Sequence, residues 1–194
     1  MWQPYVDIAH TYFPNAKVIV DKYHFIRQVT WAIEGVRKRV QKTMPATLRK
    51  YYKRNHKRIL THYDKLKDEN KQACDLMLLY HDELRKAHML KEWFYRICQN
   101  EKYSIQRTEF YDWIKNAESC GIKEFEKYAA TYRRWSKYIL NAFKYGLTGF
   151  ETEIYLSCPK TGEFSSNIKT ALHPVIEHDS KNHTPILDIE PKFL

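Results

Sequence analysis

A mainly α-helical protein is what this 194-residue sequence predicts, on three observations. Glycine is scarce at 5 residues, too few for the many tight turns of a β-sandwich or barrel. Hydrophobic residues make up 43% and aromatics 15%, enough apolar volume for one core or for one domain carrying a large insertion. Apolar residues also recur at three- and four-residue spacing through most of the chain up to Gly146, which is the period of an amphipathic helix.

Residues 2–13 read as the first helix, with Tyr5, Ile8, Ala9 and Tyr12 on its packing face and Pro4 in the first turn, where a missing N–H does no harm. Pro14, Asn15 and Ala16 make a turn. Val18, Ile19 and Val20 then form the short β-branched run of a buried strand, with Asp21 where it should end. His24 follows three residues later. Ligands gather at the carboxyl end of a strand in an open α/β sheet, so Asp21 and His24 are candidate site residues. The structural alternative is that Asp21 caps the following helix while His24 packs beneath it.

A long helix is expected from about Tyr23 to Lys42, with Phe25, Ile26, Val29, Ile33, Val36 and Val40 on one face and Pro45 marking its end. The pattern from Ala46 to Asn70 is helical and strongly basic. Between Gly35 and Tyr63 stand ten Lys or Arg residues (37, 38, 39, 42, 49, 50, 53, 54, 57 and 58) and no Asp or Glu. That absence removes the i to i+4 salt bridges that usually accompany exposed helical charge and points to phosphate contacts. Tyr51, Tyr52, His56 and His62 are interleaved, either to meet nucleic acid or to pack.

Residues 71–100 read as one or two helices, residues 104–119 as another and residues 123–144 as the last, with Gly121 as a breaker. The character changes after Gly146, where four of the seven prolines and several polar clusters lie. Tyr155-Leu156-Ser157 is a possible short strand and the rest reads as irregular. His173, His178 and His183 recur every five residues, a spacing that suits neither one helix face nor a zinc motif.

The net charge is +10 with a pI near 9.3, and it is uneven. Residues 147–194 hold four basic and seven acidic side chains, so the first 146 residues carry 29 basic against 16 acidic. A polyanion is the natural partner. Cys74, Cys98, Cys120 and Cys158 are widely spaced without a C-x-x-C pair and read as reduced thiols, so a cytoplasmic location is expected. No apolar run approaches the ~20 residues that span a bilayer, and no membrane partner is expected.

Several unlinked motifs occur in order along residues 1 to 153. They are Met1-Trp2-Gln3-Pro4-Tyr5, the run from Tyr12 to Gln28, Val36 to Lys42, and Arg133-Arg134-Trp135 followed by Ile139, Leu140, Asn141 and Phe143. Together they resemble the DDE transposases of bacterial insertion sequences, of the ISL-three type. The resemblance implies an RNase H-like enzyme in which two Asp and one Glu hold two Mg²⁺ ions. It therefore implies a mainly α chain: a partial RNase H-like α/β remnant with one or two strands over residues 1–32, a large all-helical basic insertion over residues 33–140, and a divergent segment over residues 141–194.

In that family the second Asp directly precedes the Met-Trp-x-Pro-Tyr motif, so the resemblance implies that this chain opens just past it. The third acid lies in a Thr-Asn-Gly-Phe-Thr-Glu-Gly motif. Leu147-Thr148-Gly149-Phe150-Glu151-Thr152-Glu153 matches it only in part, which makes Glu153 the candidate metal ligand and Glu151 the reserve. Asp21-Lys22-Tyr23-His24 matches the family's Asp-x-x-His signature, which implies a supporting role for Asp21 and His24 beside the metal ligands. The DNA-binding candidates are Arg27, Arg37, Lys38, Arg39, Lys42, Arg49, Lys50, Lys53, Arg54, Lys57, Arg58, Arg133, Arg134 and Trp135. Trp135 would either stack on an unpaired base or pack in the core.

The expected function is that of a transposase fragment that binds DNA at transposon ends, binds no Mg²⁺ of its own and neither cuts nor joins strands. Full-length transposase or a second copy is the expected protein partner. The alternative is a free-standing basic helical binding protein descended from a transposase that competes with the full-length enzyme.

Overall fold

Val18, Ile19 and Val20 are all buried, as an unbroken β-branched run requires, and they belong to strand β1 (Lys17–Val20). The computed structural model describes residues 3–15, 17–145, 154–157, 176–178 and 185–187. Helix α1 (Gln3–Tyr12) precedes β1, and α2 (Lys22–Val40), α3 (Ala46–Arg54), α4 (His56–Leu60), α5 (Asp68–Leu79), α6 (Asp82–Gln99), α7 (Tyr103–Glu118) and α8 (Lys123–Tyr145) follow it. Three short strands come last, β2 (Ile154–Ser157), β3 (Ile176–His178) and β4 (Pro185–Leu187). The protein is mainly α, as composition and periodicity predict.

The strands pair antiparallel in the order β1-β2-β4-β3, with Lys17 opposite Ser157 and Val20 opposite Ile154. Residues 176–178 and 185–187 are thus extended where the sequence reads as irregular. Strands this short carry too little period-two pattern to stand out from a loop.

The chain divides into two compact units, one of Met1–Phe25 with Trp135–Leu194 and the other of Ile26–Arg134. In the first, the buried face of α1 runs through Val6, Ala9 and Phe13, while Ile8 and Tyr12 are exposed. The expected face through Ile8 and Tyr12 is therefore corrected by one helical step, because Phe13 rather than Tyr12 reaches the core. Phe25 and Phe143 meet edge to face at 5.6 Å, and the Asn141 amide donates to the Val18 carbonyl at 2.8 Å, tying α8 to β1.

The second unit is centred on aromatic rings from α6, α7 and α8. Phe94 lies 4.8 Å from Trp113 and 5.5 Å from Tyr132, and Trp113 lies 5.6 Å from Tyr132, in the tilted and offset arrangements that ring quadrupoles favour. Trp113 is fully buried and satisfies its indole N–H on the Leu90 carbonyl at 2.8 Å. Acidic residues open α5 (Asp68, Glu69), α6 (Asp82, Glu83) and α8 (Glu124, Glu126), where they complement the positive helix ends. The break between α7 and α8 falls at Gly121, whose φ of 74° lies in the left-handed region open to glycine.

Candidate nucleic-acid interface

The basic stretch resolves into a helix with two unlike sides. In α3, Arg49, Lys50, Lys53 and Arg54 fall at i, i+1, i+4 and i+5, which places them on one side of the helix. All four are exposed. Tyr52 lies on the other side, fully buried, with its hydroxyl donating to the Met77 carbonyl. Burial, with smaller contributions from Tyr80, Tyr51 and Cys74 nearby, pushes the Tyr52 phenol up to about 12. One anchor residue thus seats the helix and turns its cations to solvent. Lys42 and Lys57, on either side of α3, are exposed as well. Among the described residues, no carboxylate pairs with Lys42, Lys50, Lys53, Arg54 or Lys57.

The other basic candidates are placed differently. Arg37 is buried, and its guanidinium donates to both Glu34 oxygens at 2.6 and 2.7 Å and to Gln41 Oε1 at 2.6 Å. Arg39 forks to Glu83 at 2.6 and 2.9 Å and to Glu124 at 2.9 and 3.0 Å. Those bonds hold the Glu83 and Glu124 carboxyls below their usual range and push the guanidinium up. Arg133 grips Glu118 with two bonds of 2.6 Å. The gap in acids along the sequence is therefore filled for Arg37 and Arg39 by carboxylates from Glu34 and from two distant helices.

Lys38 is exposed with its ammonium 3.5 Å from Glu34. Arg49 also bonds the carbonyls of Lys42 and Met44, and Arg58 bonds Asn70 at 2.8 Å and approaches the Tyr51 hydroxyl at 3.5 Å. Arg134 is exposed, whereas Trp135 is only 4% exposed and packs 5.5 Å from Tyr138. The packing alternative for Trp135 is the one realised, since its indole has no open face for a base. Arg27 is exposed, with its guanidinium over the Trp31 ring.

At the end of β1, Asp21 is 1% exposed and its Oδ1 accepts the Tyr23 N–H at 3.0 Å, the geometry of a helix N-cap on α2. The Asp21 carbonyl accepts the His24 N–H at 3.1 Å, and the half-buried His24 ring meets Tyr23 edge to face. Glu153, with Glu151, His173, His183 and Cys158, lies outside the described residues. Cys74, Cys98 and Cys120 form no disulfide with one another.

One polar cluster escaped sequence reasoning. Lys91 on α6 is fully buried, and its ammonium donates to the carbonyls of Ile59 and Thr61, each at 2.7 Å, and meets Glu92 Oε1 at 2.6 Å. Glu92 Oε1 also accepts the Tyr63 N–H at 3.1 Å, and its Oε2 stands 2.7 Å from His62 Nδ1, close but not aligned as a hydrogen bond. His88 lies 3.5 Å from Glu92 and 3.9 Å from the Cys74 sulfur. Burial lowers the Lys91 ammonium and takes the His88 imidazole down to about 3. It also pushes the Cys74 thiol up to about 11, which keeps it protonated and inert. Only the charge of Lys91 at an apolar helix position hinted at this cluster. Its partners come from three other segments that no spacing rule connects.

A family model of DDE transposases of the ISL-three type, described as a transposase, matches residues 1–153. No curated protein and no solved structure shows a match.

Proposed function

The chain belongs to the ISL-three type of DDE transposases, and from that premise we propose that it holds DNA through the exposed basic side of α3. The observation that carries the reading is the grouping of Arg49, Lys50, Lys53 and Arg54 on one side of a helix whose other side is anchored by Tyr52. Cations so placed can approach a row of phosphates without first breaking ion pairs. Phosphate contacts carry no sequence information, so the binding is non-specific and salt-dependent. The candidates narrow accordingly: Arg37, Arg39 and Arg133 serve the fold through their carboxylate partners, while Lys42 and Lys57 extend the α3 surface.

Mg²⁺ is the family's metal, held by carboxylates. Among the described residues no three His, Cys, Asp or Glu side chains are grouped to hold a metal ion, and the Asp21 carboxylate is buried as a helix cap. No catalytic step is assigned to these residues. On this reading the 194-residue chain binds DNA and does not by itself join strands. Mg²⁺-dependent strand transfer by the chain alone would overturn that part.

The test is equilibrium binding to a duplex of arbitrary sequence at several salt concentrations. With about 5 to 8 phosphate contacts, log K should fall with log salt at a slope of roughly −4 to −7. Replacing Lys50, Lys53 and Arg54 together by Glu should abolish binding. Retained affinity in that variant, or affinity indifferent to salt, would rule the surface out.

A further inference from the structure

Helix α2 bears an exposed grouping of its own. Trp31 is 50% exposed, whereas Trp113 and Trp135 are buried and Trp93 is partly so. The Arg27 guanidinium, one turn earlier, lies over the Trp31 ring at 4.6 Å from its centroid. Lys38 follows Trp31 by seven residues. At about 100° per residue, Arg27, Trp31 and Lys38 fall within roughly 40° of one another around the helix. Their backbone positions are separated by about 6 Å and about 10 Å along the axis. Glu34 lies near the same line, its carboxylate held by two bonds from Arg37 and standing 3.5 Å from the exposed Lys38 ammonium. The row presents an indole plate with the Arg27 guanidinium on one side and, on the other, the Lys38 ammonium, which a phosphate would share with Glu34.

We propose that Trp31 is a stacking platform for an unpaired nucleobase of single-stranded DNA, with Arg27 and Lys38 meeting the phosphates on either side. The proposal rests on the DNA-holding reading of α3 and adds a strand state to it. A base inside a duplex shows only its edges, whereas an unpaired base offers the π face that an indole can cover. The guanidinium over one side of the ring fixes the orientation of Trp31, so less side-chain freedom is lost when a base stacks on it. Every base has a π face, so this site discriminates unpaired from paired DNA and not one sequence from another.

The experiment titrates the full chain with a 12-nucleotide oligo(dT), an oligo(rU) of equal length and a duplex, reading intrinsic tryptophan fluorescence and affinity. Oligo(dT) should quench the fluorescence of the wild type. Trp31→Ala should lose the Trp31 part of that quench and weaken oligo(dT) binding about tenfold. Trp31→Phe should retain most of the affinity, and duplex affinity should stay within about twofold in both variants. An unchanged melting temperature, expected for so exposed a side chain, shows that neither variant is merely unfolded. If Trp31→Ala binds oligo(dT) as the wild type does, or loses duplex and oligo(dT) affinity equally, the stacking platform falls. Oligo(rU) bound far more tightly than oligo(dT) overturns the choice of DNA. Failure of the α3 reading would show separately, as duplex binding that survives the triple Glu substitution in α3.

Discussion

The ammonium of Lys91 stands 2.6 Å from the carboxylate of Glu92, its immediate neighbour on α6, while also donating to the carbonyls of Ile59 and Thr61. Lys91 is completely buried. Its charge ties the end of α4 to α6. Lys91→Met should leave two carbonyls without their donor and the Glu92 carboxylate without its cation, and cost about 3 to 5 kcal/mol. The double variant Lys91→Met, Glu92→Leu should recover part of that loss, because the orphaned charge goes too. Denaturant unfolding of the three proteins measures this, and a single variant as stable as the wild type contradicts it.

His88 gives stability a pH dependence of known sign. Burial lowers its imidazole from 6.5 to about 3, assisted by the positive charge of Lys91 and by His62, so the folded state keeps it neutral where the unfolded chain binds a proton. Stability must therefore fall as pH drops from about 6.5 toward about 3, by about 2 kcal/mol at pH 5. His88→Gln should flatten that limb between pH 6.5 and 5. Glu83 and Glu124, held low by Arg39, act in the same direction but only near and below their ordinary value of 4.5. Equal slopes for wild type and variant above pH 5 would show that His88 is not responsible.

Gly35 sits inside α2 opposite the Arg39 network. A methyl group there would stand 3.1 Å from Glu124 Cγ, and Arg39 holds that side chain in place. Gly35→Ala should be near neutral in the wild type, since better helix propensity is offset by crowding against a pinned neighbour. In a Glu124→Ala background the same change should stabilise by about 1 kcal/mol. Thermal unfolding of the four proteins of this cycle tests the coupling, and additive effects would refute it.

Exposed and buried cations should separate in their effects. Lys53→Gln should reduce the slope of log K against log salt by about 1 and leave stability unchanged. Arg37→Gln should do the reverse, lowering stability through the loss of its Glu34 and Gln41 bonds while the salt slope stays the same. An Arg37 variant with normal stability and a reduced slope would return Arg37 to the DNA surface.

Much of the fold was legible because helices advertise themselves locally. The period of Phe25, Val29, Ile33, Val36 and Val40 is the buried face of α2, and Gly121 is the break it was expected to be. On α1, Tyr12 and Phe13 are both aromatic and adjacent, so periodicity alone does not choose which of them is buried. Charge was legible as a total and not as a pattern. Nothing within residues 36–63 shows that Glu83 and Glu124 return to neutralise Arg39 while Lys50, Lys53 and Arg54 are left facing solvent.

By itself, the order of residues determined the helical class, the family and the excess of positive charge, since each of these is a property of composition or of short-range spacing. Tertiary structure decided which cations are open and which are spent, that Trp135 packs while Trp31 faces outward, and that Lys91 can be buried at all. Those outcomes depend on groups far apart in the chain meeting at ångström distances, where Coulomb attraction and desolvation compete.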